Sequence, residues 1–281
     1  MSTENVQFLY NSQEEYYKSL RPSKVPSAWF AGDLMHYLFV ESYAIGKKVL
    51  DVGCGLGYGS YHLALKGADK ITAIDISEGS ICTAKKKYSH PNLEFLLMDA
   101  TSMSFADRMF DMVVSFEVLE HLSSSMTDSY MNEIARVLKQ DGKFIISTPN
   151  RNVYSLGSKT SKTFDHINEL SAQEFVQLMQ RYFKKCDFFY QMKYDKQELE
   201  SKKDQYVRIL NKPEQLSWRS IVPKPIRKTI RRVIASNRLK LKNSRLIEYM
   251  KLYAVKHAET IADLELSVVQ IAICEEPVIK S

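Results

Sequence analysis

"VLDVGCGLGYGS", Val49 to Ser60, sets four glycines in seven positions directly behind a short apolar run. A strand that leaves a buried sheet into so bare a backbone lets a ligand come close to main-chain N–H groups. Spacing decides which ligand. A phosphate-cradling P-loop needs a lysine after its last glycine, and none follows here. The dinucleotide fingerprint G-x-G-x-x-G, counted from Gly53, needs its third glycine at position 58, which is Tyr58; Gly57 comes one residue early. The pattern present is D-x-G-x-G-x-G, from Asp51 to Gly57.

Outward from the glycines, apolar runs alternate with helix-like stretches. "KVLDV", "KITAID", "LEFLLMD", "FDMVVSF" and "KFIIST" have strand length and few turn formers. A helix is expected from about Ser125 to Lys139, with Met131, Ile134, Val137 and Leu138 on one face and Gly142 just past its end. Near-continuous apolar strands in such alternation predict a parallel sheet covered on both faces. Downstream, Ser171 and Glu174 have capping-box spacing and open a second helix. "CDFFYQM" and "LSVVQIAIC" read as further strands. The fold class is therefore α/β, a Rossmann-like doubly wound sheet of seven strands, mostly parallel with an antiparallel C-terminal strand. The expected organisation is an N-terminal helical cap over 1–46, a core over 47–195, a basic helical insertion over 196–262 and a returning strand with tail over 263–281.

The glycine pattern resembles motif I of class I S-adenosylmethionine-dependent methyltransferases, and the other segments of that family stand where they should. Asp75 ends the second strand, where the resemblance implies an acid that accepts hydrogen bonds from both ribose hydroxyls. Asp99 ends the third, where the adenine edge is contacted, and "FDMVVSFEVLEHL" resembles the fourth strand with the loop that lines the transfer site. All lie at carboxyl ends of strands, where open α/β sheets bind ligands. The implied cofactor is S-adenosyl-L-methionine (SAM), and the implied cofactor residues are Asp51, Gly53, Cys54, Gly55, Gly57, Asp75, Ile76, Asp99, Ala100 and Phe116.

A narrower resemblance covers residues 36–183. "HYLFVESYAIGKKVLDVGCGLGYGSYHLA", "VVSFEVLEHL", "STPNRNVYS" and "HINELSAQEF" are similar to methyltransferases of bacterial surface-glycan biosynthesis, with His36 where that group carries a basic residue. It implies methylation of a hydroxyl on a sugar or glycan-linked intermediate. The alternative acceptor is a small molecule of the ubiquinone-biosynthesis or natural-product type, methylated on oxygen or nitrogen.

Methyl transfer from a sulfonium needs in-line positioning of a lone pair. A hydroxyl also needs a base, because its proton leaves as the bond forms, and histidine suits that role near neutral pH. The candidates are His121, in the loop after the fourth strand, and His166, in the polar loop "STPNRNVYSLGSKTSKTFDHINE". Against these stand architectural readings: His121 orienting Glu117 or capping backbone, and His166 shaping its loop or touching substrate without proton transfer. Glu117 is expected to shape the cofactor pocket. Tyr16 and Arg21 are candidates for closing the site or binding the cofactor carboxylate.

Composition sets the outer bounds. With 44% apolar and 26% charged residues the chain has a globular profile. Its start lacks the basic and apolar regions of a secretory signal, and no run is long enough to span a bilayer, so a cytoplasmic protein is expected. Cys54, Cys82, Cys186 and Cys274 are far apart and form no C-x-x-C pair, which argues against zinc; no metal site is expected. Between Val222 and His257 eleven Lys/Arg face one acid, Glu248. That segment carries +10, so the remainder of this +6 chain carries −4. "PKPIRKTIRRVIASNRLK" places Ile226, Ile230, Val233 and Ile234 on one stripe flanked by Arg227, Lys228, Arg231 and Arg232. It reads as a helix packed on the domain with a solvated basic face, or as an amphipathic helix lying on an anionic membrane. Nucleic-acid binding is disfavoured, since no aromatic platform or recognisable module accompanies the charge.

Overall fold

The computed structural model describes residue 20, residues 27–155 and 166–193, residue 197, and residues 255–278. Asp33–Tyr194 and Tyr253–Ser281 form one compact unit; the other comprises Met1–Gly32 and Asp195–Leu252. Tyr16, Arg21 and residues 222–254 of the basic segment lie outside the described residues.

The elements run α1 (Ser27–Ala44), β1 (Lys48–Val52), α2 (Tyr58–Leu65), β2 (Lys70–Asp75), α3 (Glu78–Lys87), β3 (Leu93–Leu97), β4 (Phe110–Phe116), a 3-10 turn (Leu119–His121) and α4 (Ser124–Val137). They continue with β5 (Leu138–Pro149), α5 (Arg151–Tyr154), α6 (Ala172–Tyr182), β6 (Phe183–Lys193), β7 (Val255–His257), α7 (Ile261–Glu265) and β8 (Ser267–Pro277). Strand order is β3-β2-β1-β4-β5-β8-β6-β7. β1 to β5 pair in parallel, and β8 enters antiparallel between β5 and β6.

Alternation along each strand feeds two cores. Leu50, Val52, Val113 and Phe144 meet Met131 and Ile134 of α4 and Phe175 and Met179 of α6 on one face. Val49, Ile71, Val114 and Ile145 meet Val40 of α1, Leu63 of α2 and Ala84 of α3 on the other. Burial on both faces is why these strands read as continuous apolar runs rather than alternating ones. The order reverses between β1 and β4, which opens the crevice at their carboxyl ends.

Three expectations are corrected. Among the described residues the sheet has eight strands, not seven: β7, three residues from the segment read as a helical insertion, pairs along the edge with Phe189–Gln191. So short a strand leaves no periodic trace in sequence. From Asp33 onward α1 belongs to the core unit instead of a separate cap, with Tyr37, Val40 and Ala44 buried against the sheet. Gly142 lies within β5, not at a helix terminus; a Cβ there would come 2.7 Å from the Leu138 side chain. The capping box forms as read, Ser171 Oγ accepting from the Glu174 N–H while Glu174 accepts from the Ser171 N–H.

Candidate functional site

The glycine loop leaves β1 and turns into α2. The N–H groups of Gly53 and Cys54 both donate to the Ile74 carbonyl, at 2.8 and 2.9 Å, and Gly57 donates to Cys54 at 3.0 Å. Gly55 donates to Asp75 Oδ2 at 2.8 Å. Those four amides are committed to the protein, so they do not form the anion nest that a bare backbone suggests. What the glycines provide is shape. A Cβ on Gly57 (φ +81°) would lie 2.7 Å from Ala84 Cβ and from the Phe95 ring, so that position serves packing. Gly55 (φ +52°) has nothing within 4 Å of its Cβ direction, and this is the side from which a ligand can rest on the backbone.

Asp51 stands behind the glycine loop as a support. It is fully buried and accepts from Ser60 Oγ at 2.6 Å and from the Tyr37 hydroxyl at 3.1 Å. Burial pushes its carboxyl up to about 7. Cys54 is buried too, and its thiol is pushed up by the same desolvation. Gly53 lies against Val118, whose Cγ2 would be 2.3 Å from a Cβ at that position, so the loop after β4 touches the glycine loop directly.

On the open side stand the ends of β2 and β3. Asp75 accepts from Gly55 through Oδ2 and from the Ser77 N–H through Oδ1, both at 2.8 Å. Each oxygen keeps a second lone pair for a hydroxyl. Beside it Ile76 is 71% exposed and Leu97 55% exposed, an apolar pair at strand ends that an adenine ring would cover. Asp99 Oδ1 is used by the Thr101 N–H and hydroxyl, at 2.8 and 2.7 Å, and Ala100 is half-buried beside it. Acids flanking exposed aliphatic side chains, with an open glycine next to them, fit an adenosyl group.

Behind this lies a concentration of desolvated acid. Asp33, accepting from the Tyr58 hydroxyl at 3.0 Å, is pushed up to about 6 by burial. Glu117, accepting from Ser147 Oγ at 2.8 Å, is pushed up to about 7, again chiefly by desolvation. Glu117 also takes φ +55°, a left-handed conformation rare for a side chain of its size and typical of strained positions at sites. Phe116 is buried and packs on His36 and Tyr37, with both centroid distances 5.1 Å. Among the described residues neither His36 ring nitrogen has a partner, and burial drives its pKa down to about 3, so it is neutral. A site so lined favours a cation such as a sulfonium.

The two histidines singled out in sequence meet. Their ring centroids are 5.0 Å apart, edge to face. His121 is exposed on the 3-10 turn, whereas His166 stacks on Tyr154 at 5.3 Å and places Nδ1 3.0 Å from Glu169 Oε1. The carbonyl of Glu120 accepts from the N–H groups of Ile167 and Asn168, at 2.9 and 3.0 Å, which pins the second loop to the first. Sequence reasoning missed Asp33, Tyr37, Ser60, Glu120 and Glu169. Of these, Glu120 lies beside His121 and Glu169 three residues from His166, which is the local signal that could have found them. A cavity of about 420 Å³ lies elsewhere, between α4 and α6 around Thr127, Asn168, Leu178 and Arg181.

The chain is similar to known methyltransferases. The methyltransferase domain family matches residues 50–146. A probable S-adenosylmethionine-dependent methyltransferase of Mycobacterium tuberculosis is 31% identical over 155 residues, 55% of each chain. A ubiquinone biosynthesis O-methyltransferase of Pseudomonas putida is 36% identical over 110 residues, 38% of this chain and 46% of the relative. The chain thus spans about half the length of the curated relatives it matches. In fold, it resembles a crystal structure of a SAM-dependent methyltransferase from Thermotoga maritima described as a possible histamine N-methyltransferase, with TM-score 0.54 and 14% identity over 95% of this chain and 96% of that one. Residues 50–146 thus match the methyltransferase domain family on a Rossmann-like fold, and the cofactor that these matches imply is S-adenosyl-L-methionine.

Proposed function

We propose that the chain transfers a methyl group to a hydroxyl oxygen of a sugar or glycan-linked intermediate. When bound, SAM supplies a methyl on a sulfonium, open to in-line displacement by a lone pair. Asp75 takes the ribose hydroxyls, Ile76 and Leu97 cover the adenine, and Asp99 accepts from its edge. Gly55 leaves room for the backbone to be approached, and Asp51 holds the loop from behind through Tyr37 and Ser60.

The observation that carries the oxygen acceptor is the meeting of His121 and His166 beside the end of β4. A hydroxyl must shed its proton as the new bond forms, and an imidazole backed by a buried carboxylate, as His166 is by Glu169, is suited to handle it. The sugar class is supported by the similarity of 36–183 to surface-glycan methyltransferases. A phenolic hydroxyl is the second reading, favoured by the relative named for ubiquinone biosynthesis.

The test is direct. Purified chain with SAM is offered glycosides with neighbouring hydroxyls, catechol-type phenols and primary amines, and the products are read by mass spectrometry. An O-methyl sugar is expected. An N-methyl product, or S-adenosylhomocysteine formed with none of the hydroxyl acceptors, would overturn the reading.

A further inference from the structure

We propose that Glu120, His121 and His166 bind one divalent transition-metal ion. On the hydroxyl-acceptor reading, that ion holds two neighbouring acceptor oxygens at the transfer site. Each of the three side chains offers one ligand atom, and these atoms lie within 4.8 Å of one another. A single ion can touch all three.

The carboxylate itself points to a missing partner. Glu120 is fully buried; one oxygen accepts from the Thr148 hydroxyl at 3.0 Å, and among the described residues Oε1 has no hydrogen-bond partner. A buried carboxylate oxygen left unpaired is costly, and folded proteins rarely tolerate one without an ion, water or catalytic reason. Its backbone is also held, because its carbonyl takes the Ile167 and Asn168 N–H groups. The side chain therefore has little freedom to swing out to water.

His166 is prepared in the way metal-ligating histidines are. With Nδ1 against Glu169 Oε1, it carries its proton on Nδ1 and presents Nε2 as a lone-pair donor. Glu169 is itself buried, and its other oxygen accepts from the Ser155 hydroxyl. Stacking on Tyr154 fixes the ring plane. His121 closes the group from the solvent side, which gives a cation a way in.

Two imidazoles and a carboxylate suit zinc, manganese, cobalt or ferrous iron better than calcium or magnesium, which prefer all-oxygen shells. Three protein ligands leave coordination positions open, as in catalytic rather than structural metal sites. Those positions suit adjacent oxygens of one molecule, such as a vicinal diol. With the ion bound, the two histidines orient the acceptor as ligands, and a hydroxyl held on the ion is acidified so that it loses its proton to solvent as the bond forms.

The experiment uses the full, tag-free chain stripped with a chelator and titrated with Co2+ alone. One equivalent should bind, with the visible absorption of a histidine-ligated cobalt centre, and Zn2+ should displace it. His121→Ala, at an exposed position, and His166→Ala should each weaken cobalt binding by roughly tenfold or more while SAM binding persists. No stoichiometric cobalt binding, or undiminished binding in both variants, would overturn the site. This readout needs no acceptor, so a failure of methyl transfer to hydroxyls counts against the proposed function and not against the ion. Full transfer by the metal-stripped chain would overturn the ion's role in holding the acceptor.

Discussion

The N–H of Gly55 donates to Asp75 Oδ2 across 2.8 Å, tying the tip of the glycine loop to the end of β2. One carboxylate thus sets the loop and faces the open side where a ribose fits. Asp75→Ala removes charge-assisted hydrogen bonds worth ~1.5–3 kcal/mol each. SAM affinity by calorimetry should fall roughly tenfold or more, with the circular dichroism spectrum retained. Unchanged affinity, or NADH bound more tightly than SAM, would contradict this assignment.

Gly55 and Gly57 should respond differently to alanine. Both have positive φ, so each substitution costs about 1–2 kcal/mol in backbone strain. At Gly57 the methyl also collides with Ala84 and Phe95, adding about 1–3 kcal/mol. Gly57→Ala should therefore show the larger drop in melting temperature. Gly55→Ala should lose SAM affinity out of proportion to its stability, because its methyl occupies ligand space. Equal stability losses in the two variants would refute the division of roles.

Asp33 and Asp51, raised by burial to about 6 and about 7, make the ligand-free protein sensitive to pH. In both, the folded state favours the protonated carboxyl. Their stabilising contribution is fully present below the ordinary value of 3.8 and is lost as pH rises through about 6 and then about 7. Melting temperature should fall across that window, and Asp51→Asn should flatten the upper part of the slope. A cationic ligand favours the ionised carboxyls, so SAM affinity should rise over the same range. A melting temperature that climbs from pH 5 to 8 would show these acids ionised in the fold.

Removing either histidine should spare cofactor binding and slow the chemistry. His121→Ala and His166→Ala are each expected to lower turnover by about 10²–10⁴ at saturating SAM, with the SAM dissociation constant unchanged. Near-normal rates in both variants would move the acceptor from oxygen to nitrogen, since a neutral amine attacks without losing its proton first.

The basic segment between Val222 and His257 is expected to dock on anionic membrane, at about 1 kcal/mol per engaged Lys or Arg. Flotation with anionic vesicles should be salt-sensitive and absent with neutral ones. Changing Arg227, Lys228, Arg231 and Arg232 to Glu should abolish it without altering SAM affinity. Equal recovery with both vesicle types, or none with either, would leave a solvated basic face.

The amino-acid sequence by itself determined the sheet that carries the site. β1, β2 and β4 run over the residues that their apolar runs mark, and the Ser171–Glu174 capping box opens α6 where the spacing places it. Burial of a parallel strand on both faces, and the reach of a cap side chain to its own helix, are local matters that neighbouring residues record. Tertiary structure alone decided how the glycines divide between packing and open space, because that depends on Ala84, Phe95 and Val118 arriving from other elements. It alone turned Asp51 inward onto Tyr37 and Ser60, and added β7 to the sheet edge. It alone set His166 against His121, through two backbone hydrogen bonds to the Glu120 carbonyl. Those outcomes come from contacts between residues far apart in the chain, and no local periodicity encodes which distant side chain will fill a given space.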